Sequence, residues 1–94
     1  MRVRWTDEAI VDLERLHSFL LGQNPEAAAR AGERILSAAC KLESTPGLGR
    51  PVEDEYHREL LIFFGASGYV IRYRVEGEEV VIARIWHGRE ARPT

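Results

Sequence analysis

The stretch YVIRYRVEGEEVVIARIW, residues 69–86, decides the architecture. Its first seven residues alternate, with Tyr69, Ile71 and Tyr73 on one side and Val70, Arg72 and Arg74 on the other. Glu76-Gly77 punctuates the run, and Glu79–Trp86 is a second apolar stretch, so the two read as an antiparallel hairpin. With Glu76-Gly77 as a two-residue turn, Val75 pairs with Glu78 and Arg74 with Glu79. Tyr69, Ile71, Tyr73, Val80, Ile82, Arg84 and Trp86 then share one face. Val70, Arg72, Arg74, Val81, Ala83 and Ile85 share the other. A three-residue turn would carry Val80, Ile82 and Arg84 across. In either register Arg72 and Arg74 lie opposite the Tyr/Ile face, which is the face that helices should cover.

Upstream, Glu59–Phe64 is a dense apolar strand joined to the hairpin by Gly65-Ala66-Ser67-Gly68. Met1–Trp5 alternates Val3 and Trp5 against Arg2 and Arg4, a further short strand. Between these ends the periodicity changes to that of helices. Thr6 suits an N-cap, with Asp7 and Glu8 at the positive end of the helix that follows. Ile10, Leu13, Leu16/His17, Leu20 and Leu21 form its expected buried stripe, and Gly22 ends it. Asn24-Pro25-Glu26 starts a second helix, whose Ala28, Ala31, Ile35, Ala38 and Leu42 step by 3, 4, 3 and 4. The short connection makes the pair an antiparallel hairpin. Residues 45–51 (TPGLGRP) are expected to hold no regular element. The order is β-α-α-β-β-β: an α+β domain over residues 1–94, a helical hairpin laid on one face of a small, mainly antiparallel sheet.

Composition narrows the function classes. The 94 residues include 13 basic and 15 acidic side chains, a net charge of −2, so wholesale nucleic-acid wrapping is disfavoured. The longest apolar run, Leu60–Phe64, is far below the ~18 residues of a membrane span. The N-terminus has no hydrophobic signal core, and the single cysteine, Cys40, has no internal partner; a cytoplasmic location is expected. Lys41 is the only lysine among the 13 basic residues. GC-rich coding explains that bias as readily as a need for planar, forked cations. Residues 84–94 carry Arg84, Arg89 and Arg92 against Glu90, a local +2.

Chemistry-bearing residues are sparse. There is no phosphate-cradling glycine loop, no HExxH and no CxxC pair. His17, His57 and His87 stand apart, so neither a metal nor a cofactor is expected. The acidic stretch Glu53–Glu59 lacks calcium-loop spacing and reads as solvated loop. His17 falls on the expected stripe, as a core-edge or a functional histidine. Phe19, Leu36 and Cys40 project away from the stripes, as isolated exposed residues or as a surface that a partner covers. Arg84-Ile85-Trp86-His87-Gly88-Arg89-Glu90 is the densest cluster. Gly88 lets the chain turn sharply as the last strand ends, aiming Arg89 back over the sheet near Arg72 and Arg74. Such a tip binds phosphates or acidic protein patches, or it is a solvated face with ion pairs such as Arg74–Glu79.

The run from Gly65 to Val75, the Glu-Gly turn, Val80-Val81-Ile82 and His87-Gly88-Arg89-Glu90 resemble the RelE/ParE toxin superfamily of bacterial type II toxin–antitoxin (plasmid stabilization) systems. Val3-Arg4-Trp5-Thr6-Asp7-Glu8-Ala9 and the Pro-Gly-Leu-Gly-Arg-Pro loop fit the same pattern. RNA-cleaving members carry a basic residue just after the Gly-Tyr, where Val70 stands here. They often add lysines on the preceding strand and an aromatic residue or a histidine near the C-terminus; neither the lysines nor an aromatic after Arg89 is present. The resemblance therefore implies the ParE-like branch, whose members inhibit DNA gyrase without being enzymes. Its implied partners are a cognate antitoxin and gyrase with its DNA, with no membrane and no sequence-specific nucleic-acid contact of its own. Arg72, Arg74, Arg84, Trp86, His87 and Arg89 are the expected target contacts. Phe19, Leu36, Cys40 and Arg58 are the expected antitoxin contacts. The alternative is a ribosome-dependent mRNA endonuclease with His87 and Arg89 catalytic, and a third class is a decayed, non-toxic binding module.

Overall fold

Both helices start as their caps dictate. Thr6 Oγ1 accepts the Ala9 N–H at 3.1 Å, and Asn24 Oδ1 accepts those of Glu26 and Ala27 at 3.1 and 3.2 Å. A computed structural model describes residues 1–65 and 67–92. Among these, the elements run β1 (Arg2–Trp5), α1 (Asp7–Leu21), α2 (Pro25–Ser44), β2 (Arg50–Pro51), β3 (Arg58–Phe64), β4 (Ser67–Glu76) and β5 (Glu79–His87). The sheet order is β1-β5-β4-β3-β2, with β1 parallel to β5 and every other pair antiparallel. This is the expected α+β architecture, with one strand added inside the proline- and glycine-rich loop. There Arg50 pairs with Glu59 and Pro51 with Arg58. Proline is tolerated because β2 is an edge strand. Beyond Arg58 and Glu59 the outer edge of β3 has no strand partner among the described residues, and Leu61 and Phe63 on it are exposed.

The hairpin register differs from the expected one. Glu76 pairs with Glu79, Val75 with Val80 and Arg74 with Val81. The two-residue loop is Gly77-Glu78, and only Gly77 has positive φ, at 57°. Glycine at the first central position with a left-handed φ suits a type II′ loop rather than I′. The slip moves each partner by two residues, so Val80 and Ile82 keep the face shared with Ile71 and Tyr73. Those residues, fully buried, meet Ala31, Ile35, Ala38 and Leu42 of α2 in one core. Each fully buried aliphatic side chain contributes about 1.5–3 kcal/mol. Tyr73 also ties down the loop: its hydroxyl donates to the Pro46 carbonyl and accepts the Gly49 N–H, each at 2.7 Å.

Gly68 lies opposite Phe63, so close to the Ile62 carbonyl that a Cβ there would overlap backbone. Gly68→Ala should therefore cost about 1–3 kcal/mol. Gly32, inside α2 with nothing within 4 Å of an added Cβ, is the converse. Gly32→Ala should stabilise by about 0.5–1 kcal/mol. Urea unfolding midpoints of the two variants check both signs.

Candidate functional site

The carboxylate of Asp12, on α1 and only 3% exposed, faces the point where β5 leaves regular pairing. Tyr73 pairs with Ile82 but Arg72 pairs with Arg84, so Ala83 has no opposite number and β5 is bulged. Asp12 Oδ2 accepts the Ile85 N–H at 2.9 Å and Arg84 Nε at 2.8 Å. Its Oδ1 accepts Arg84 Nη2 at 3.1 Å and Arg15 Nη2 at 3.3 Å. Thr6 Oγ1 donates to the Ala83 carbonyl at 2.9 Å. Burial opposes the charge on Asp12, but the hydrogen bonds from Arg84, Ile85 and Arg15 outweigh it and hold the carboxyl below its ordinary range.

The bulge inverts the phase of everything after it. Ile85 pairs with Ile71 and is fully buried in the helix-covered core, while Trp86 pairs with Val70 on the opposite face. This reverses the expectation for both residues, because an extra residue flips all later side chains. The helix is turned to match. Presenting Asp12 to the bulge buries Ala9 and Leu16 and leaves Ile10, His17 and Leu21 exposed, correcting the expected stripe.

On the helix-free face a second buried carboxylate, Glu59, collects two arginines. Arg72 Nη2 lies 3.0 Å from Oε2, and Arg92 donates to Oε2 and Oε1 at 2.7 and 2.9 Å. Their guanidiniums also sit over the Trp86 ring, at 5.1 and 5.4 Å from its centroid. The bonds from Arg92 act against burial and, with those from Arg72, hold Glu59 low. Arg74 is bound to Glu76 at 2.6 Å rather than to Glu79, and lies over the ring of Tyr56. In the acidic stretch, Asp54 accepts the N–H groups of His57 and Tyr56 and pairs with the His57 ring, which pulls its carboxyl down to about 2.

At the tip, the Gly88 N–H donates to the Gly68 carbonyl at 2.9 Å. His87 stacks edge-on to Tyr69, and its Nε2 is 2.6 Å from Ser67 Oγ. The Arg89 backbone N–H donates to His87 Nδ1 at 3.1 Å. Nδ1 is therefore placed as an acceptor, and Nε2 exchanges its hydrogen bond with the Ser67 hydroxyl. Ser67, Tyr69, His87 and Arg89 rim a cleft of about 740 Å³ walled by Leu16, Phe19, Leu20 and Phe64. Arg89 is exposed and has no acidic partner among the described residues. The arrangement offers hydrogen-bond donors beside an apolar wall, which suits an acidic, partly apolar protein segment.

Of the six expected target contacts, the structure thus gathers His87 and Arg89 at the tip. Arg72, Arg74 and Arg84 hold the protein's own carboxylates, and Trp86 is 3% exposed. Among the expected antitoxin contacts, Phe19 is exposed at the cleft, and Leu36 and Cys40 are exposed on α2 outside it. Arg58 holds the loop, donating to the Gly49 carbonyl at 2.6 Å. Sequence reasoning missed Asp12, Arg15, Glu59 and Ser67. One of them carried a signal: Glu59 opens an otherwise apolar strand, whereas Asp12 lies off the stripe that the apolar spacing marks. No group of three or more His, Cys, Asp or Glu side chains among the described residues is placed to hold a metal. None of the described helices is long and apolar enough to cross a membrane.

The same build occurs in a chain of the solved structure "Chromosomal ParDE TA system from P. aeruginosa". The match has a TM-score of 0.79, at 29% identity over 93% of this chain and 95% of that one. The likeness in fold and the family and relatives that the chain matches place the protein among the small toxins of type II toxin–antitoxin systems. A family model described as the ParE toxin of type II toxin–antitoxin system, parDE, matches residues 3–92, and the chain belongs to that family. Two relatives from Caulobacter vibrioides are named Toxin RelE1 and Toxin RelE3. They are 46% and 48% identical over 81 residues, covering 86% of this chain and 86% and 87% of theirs. Membership implies a cognate antitoxin as partner.

Because Asp12 and Glu59 are held low in the fold, the stability they confer is complete above the unfolded carboxyl range, about pH 4. It is lost as pH falls from there through their folded values. Melting temperature should therefore drop below about pH 4. Asp12→Asn and Glu59→Gln should lower the plateau at neutral pH and flatten that acid limb, as thermal scans from pH 7 to 2.5 will read.

Proposed function

We propose that this toxin inhibits DNA gyrase in the bacterial cytoplasm, blocking or trapping it on DNA, and is neutralised by its antitoxin. The observation that carries this reading is the state of the catalytic candidates. RNA cleavage by 2′-OH attack needs a base with a free lone pair and cations for the phosphorane charge. Both ring nitrogens of His87 are engaged within the protein, Nδ1 by the Arg89 N–H and Nε2 by the Ser67 hydroxyl. Arg72 and Arg84 are bound to Glu59 and Asp12, and Val70 offers no charge. A single free arginine beside an apolar cleft supports docking on a protein surface better than phosphodiester chemistry. Match to the ParE toxin family supports the same target. Arg89 and His87 are the residues proposed to meet the target, and Phe19, Leu36 and Cys40 to lie under the antitoxin.

The RelE names of the Caulobacter relatives favour the second reading, a ribosome-dependent mRNA endonuclease with His87 and Arg89 catalytic. One pair of assays separates the two. Purified gyrase should supercoil relaxed plasmid less as this protein is added, and Arg89→Ala should weaken inhibition about tenfold or more, the loss of a charged hot-spot contact. Transcripts in induced cells should stay intact. Full supercoiling together with cleaved mRNA would replace this reading with the nuclease one.

A further inference from the structure

The segment that carries Arg89 is tied down on both sides of the sheet. Glu90 turns toward the helices, where both carboxylate oxygens take Arg15 Nη1, at 2.6 and 2.7 Å. Arg15 is itself held by Asp12 and by the Ile85 carbonyl. Two residues later, Arg92 crosses to the helix-free face and grips Glu59 through both nitrogens. Backbone bonds from Gly88 to Gly68, from Arg89 to His87 Nδ1 and from Glu90 to the His87 carbonyl fix the bend between them. Residues 88–92 thus straddle the end of the sheet, anchored front and back, with the Arg89 side chain left outside. Stability alone does not account for the rear anchor. Arg72 already pairs with Glu59, and burying a carboxylate to hold a second arginine gains little over apolar packing.

We propose that Glu59 and Arg15 are positioning residues, which through Arg92 and Glu90 clamp residues 88–92 and aim Arg89 at the toxin's target. This rests on the reading of Arg89 as a target contact. Neither residue touches the target; each acts through its ion pair, and preorganisation of this kind is lost when an anchor loosens by an ångström.

The test uses the full-length toxin, produced without antitoxin from a titratable promoter, with growth arrest as a readout that holds for any target. Glu59→Gln can fail to fold, so the informative variants are Arg92→Ala and Glu90→Gln, whose side chains are 55% and 35% exposed. Each should need about tenfold more induced protein to arrest growth; Glu90→Gln should keep a melting temperature close to wild type, whereas Arg92→Ala, which strips one of two arginines from the buried Glu59, should melt lower yet stay folded. In an Arg89→Ala background, neither should cause further loss, because there is no longer a side chain to aim. Arg92→Lys should recover part of the effect. Fully toxic Arg92→Ala and Glu90→Gln variants, beside a weakened Arg89→Ala, would overturn the clamp and leave Arg89 as a contact. Losses that add to that of Arg89→Ala would also overturn it, assigning Arg92 and Glu90 contacts of their own. A fully toxic Arg89→Ala would remove the target-contact reading and the clamp with it.

Discussion

The fold turns on the bond between one helical carboxylate and one strand N–H. Asp12 receives the Ile85 amide and the Arg84 guanidinium where β5 carries its extra residue. A bulge leaves backbone groups without ladder partners, and buried backbone groups must find partners. Asp12 supplies the acceptor and Thr6 the donor, both from the N-terminal end of the chain. In return the bulge sends Ile85 into the core and Trp86 to the other face, where two arginines cover it. Removing one member of such a buried pair costs about 3–5 kcal/mol, a large share of the ~5–15 kcal/mol that holds a domain folded. The helix orientation, the core contents and the tryptophan platform follow from this contact.

Electrostatics extend the same theme. A chain with 13 basic side chains looks well supplied for anionic partners, yet the central strands spend three of their arginines internally. Arg72, Arg74 and Arg84 each neutralise a carboxylate of the same chain. What faces outward at the tip is the guanidinium of Arg89, beside an apolar cleft lined by Phe19 and Phe64. A strong counterion-release contribution requires several cations acting together on phosphates. The cleft instead joins an aromatic wall to the guanidiniums of Arg15 and Arg89, a composition in keeping with the protein contact proposed above.

The sequence carried most of the fold because its signals were local. Thr6 and Asn24 cap as their types demand, and the α2 stripe from Ala28 to Leu42 is buried as its spacing requires. The faces of β4 follow from strict alternation. The bulge was illegible because neither Ala83 nor Arg84 marks a break; only the Asp12 carboxylate, 73 residues from the Ile85 it binds, reveals it. The same limit hid half of the candidate site. His87 and Arg89 stood out by crowding around Gly88, but which arginines were already spent depended on Asp12 and Glu59. Those ion pairs join residues far apart in the chain, which no window of neighbouring residues contains.

The parallel pairing of β1 with β5 also bears on how the protein comes into being. Arg2 to Trp5 must await Glu79 to Ile82 before they have a strand to join, and Thr6 must await Ala83, 77 residues later. Asp12 has only Arg15 beside it until Arg84 and Ile85 have been made. Contacts of such sequence separation close late, after the loop entropy has been met. A nascent chain interrupted before its last strand therefore has neither a finished core nor a displayed Arg89. The core closes only once the last strand exists, and the interval between synthesis and a finished fold is written into the topology.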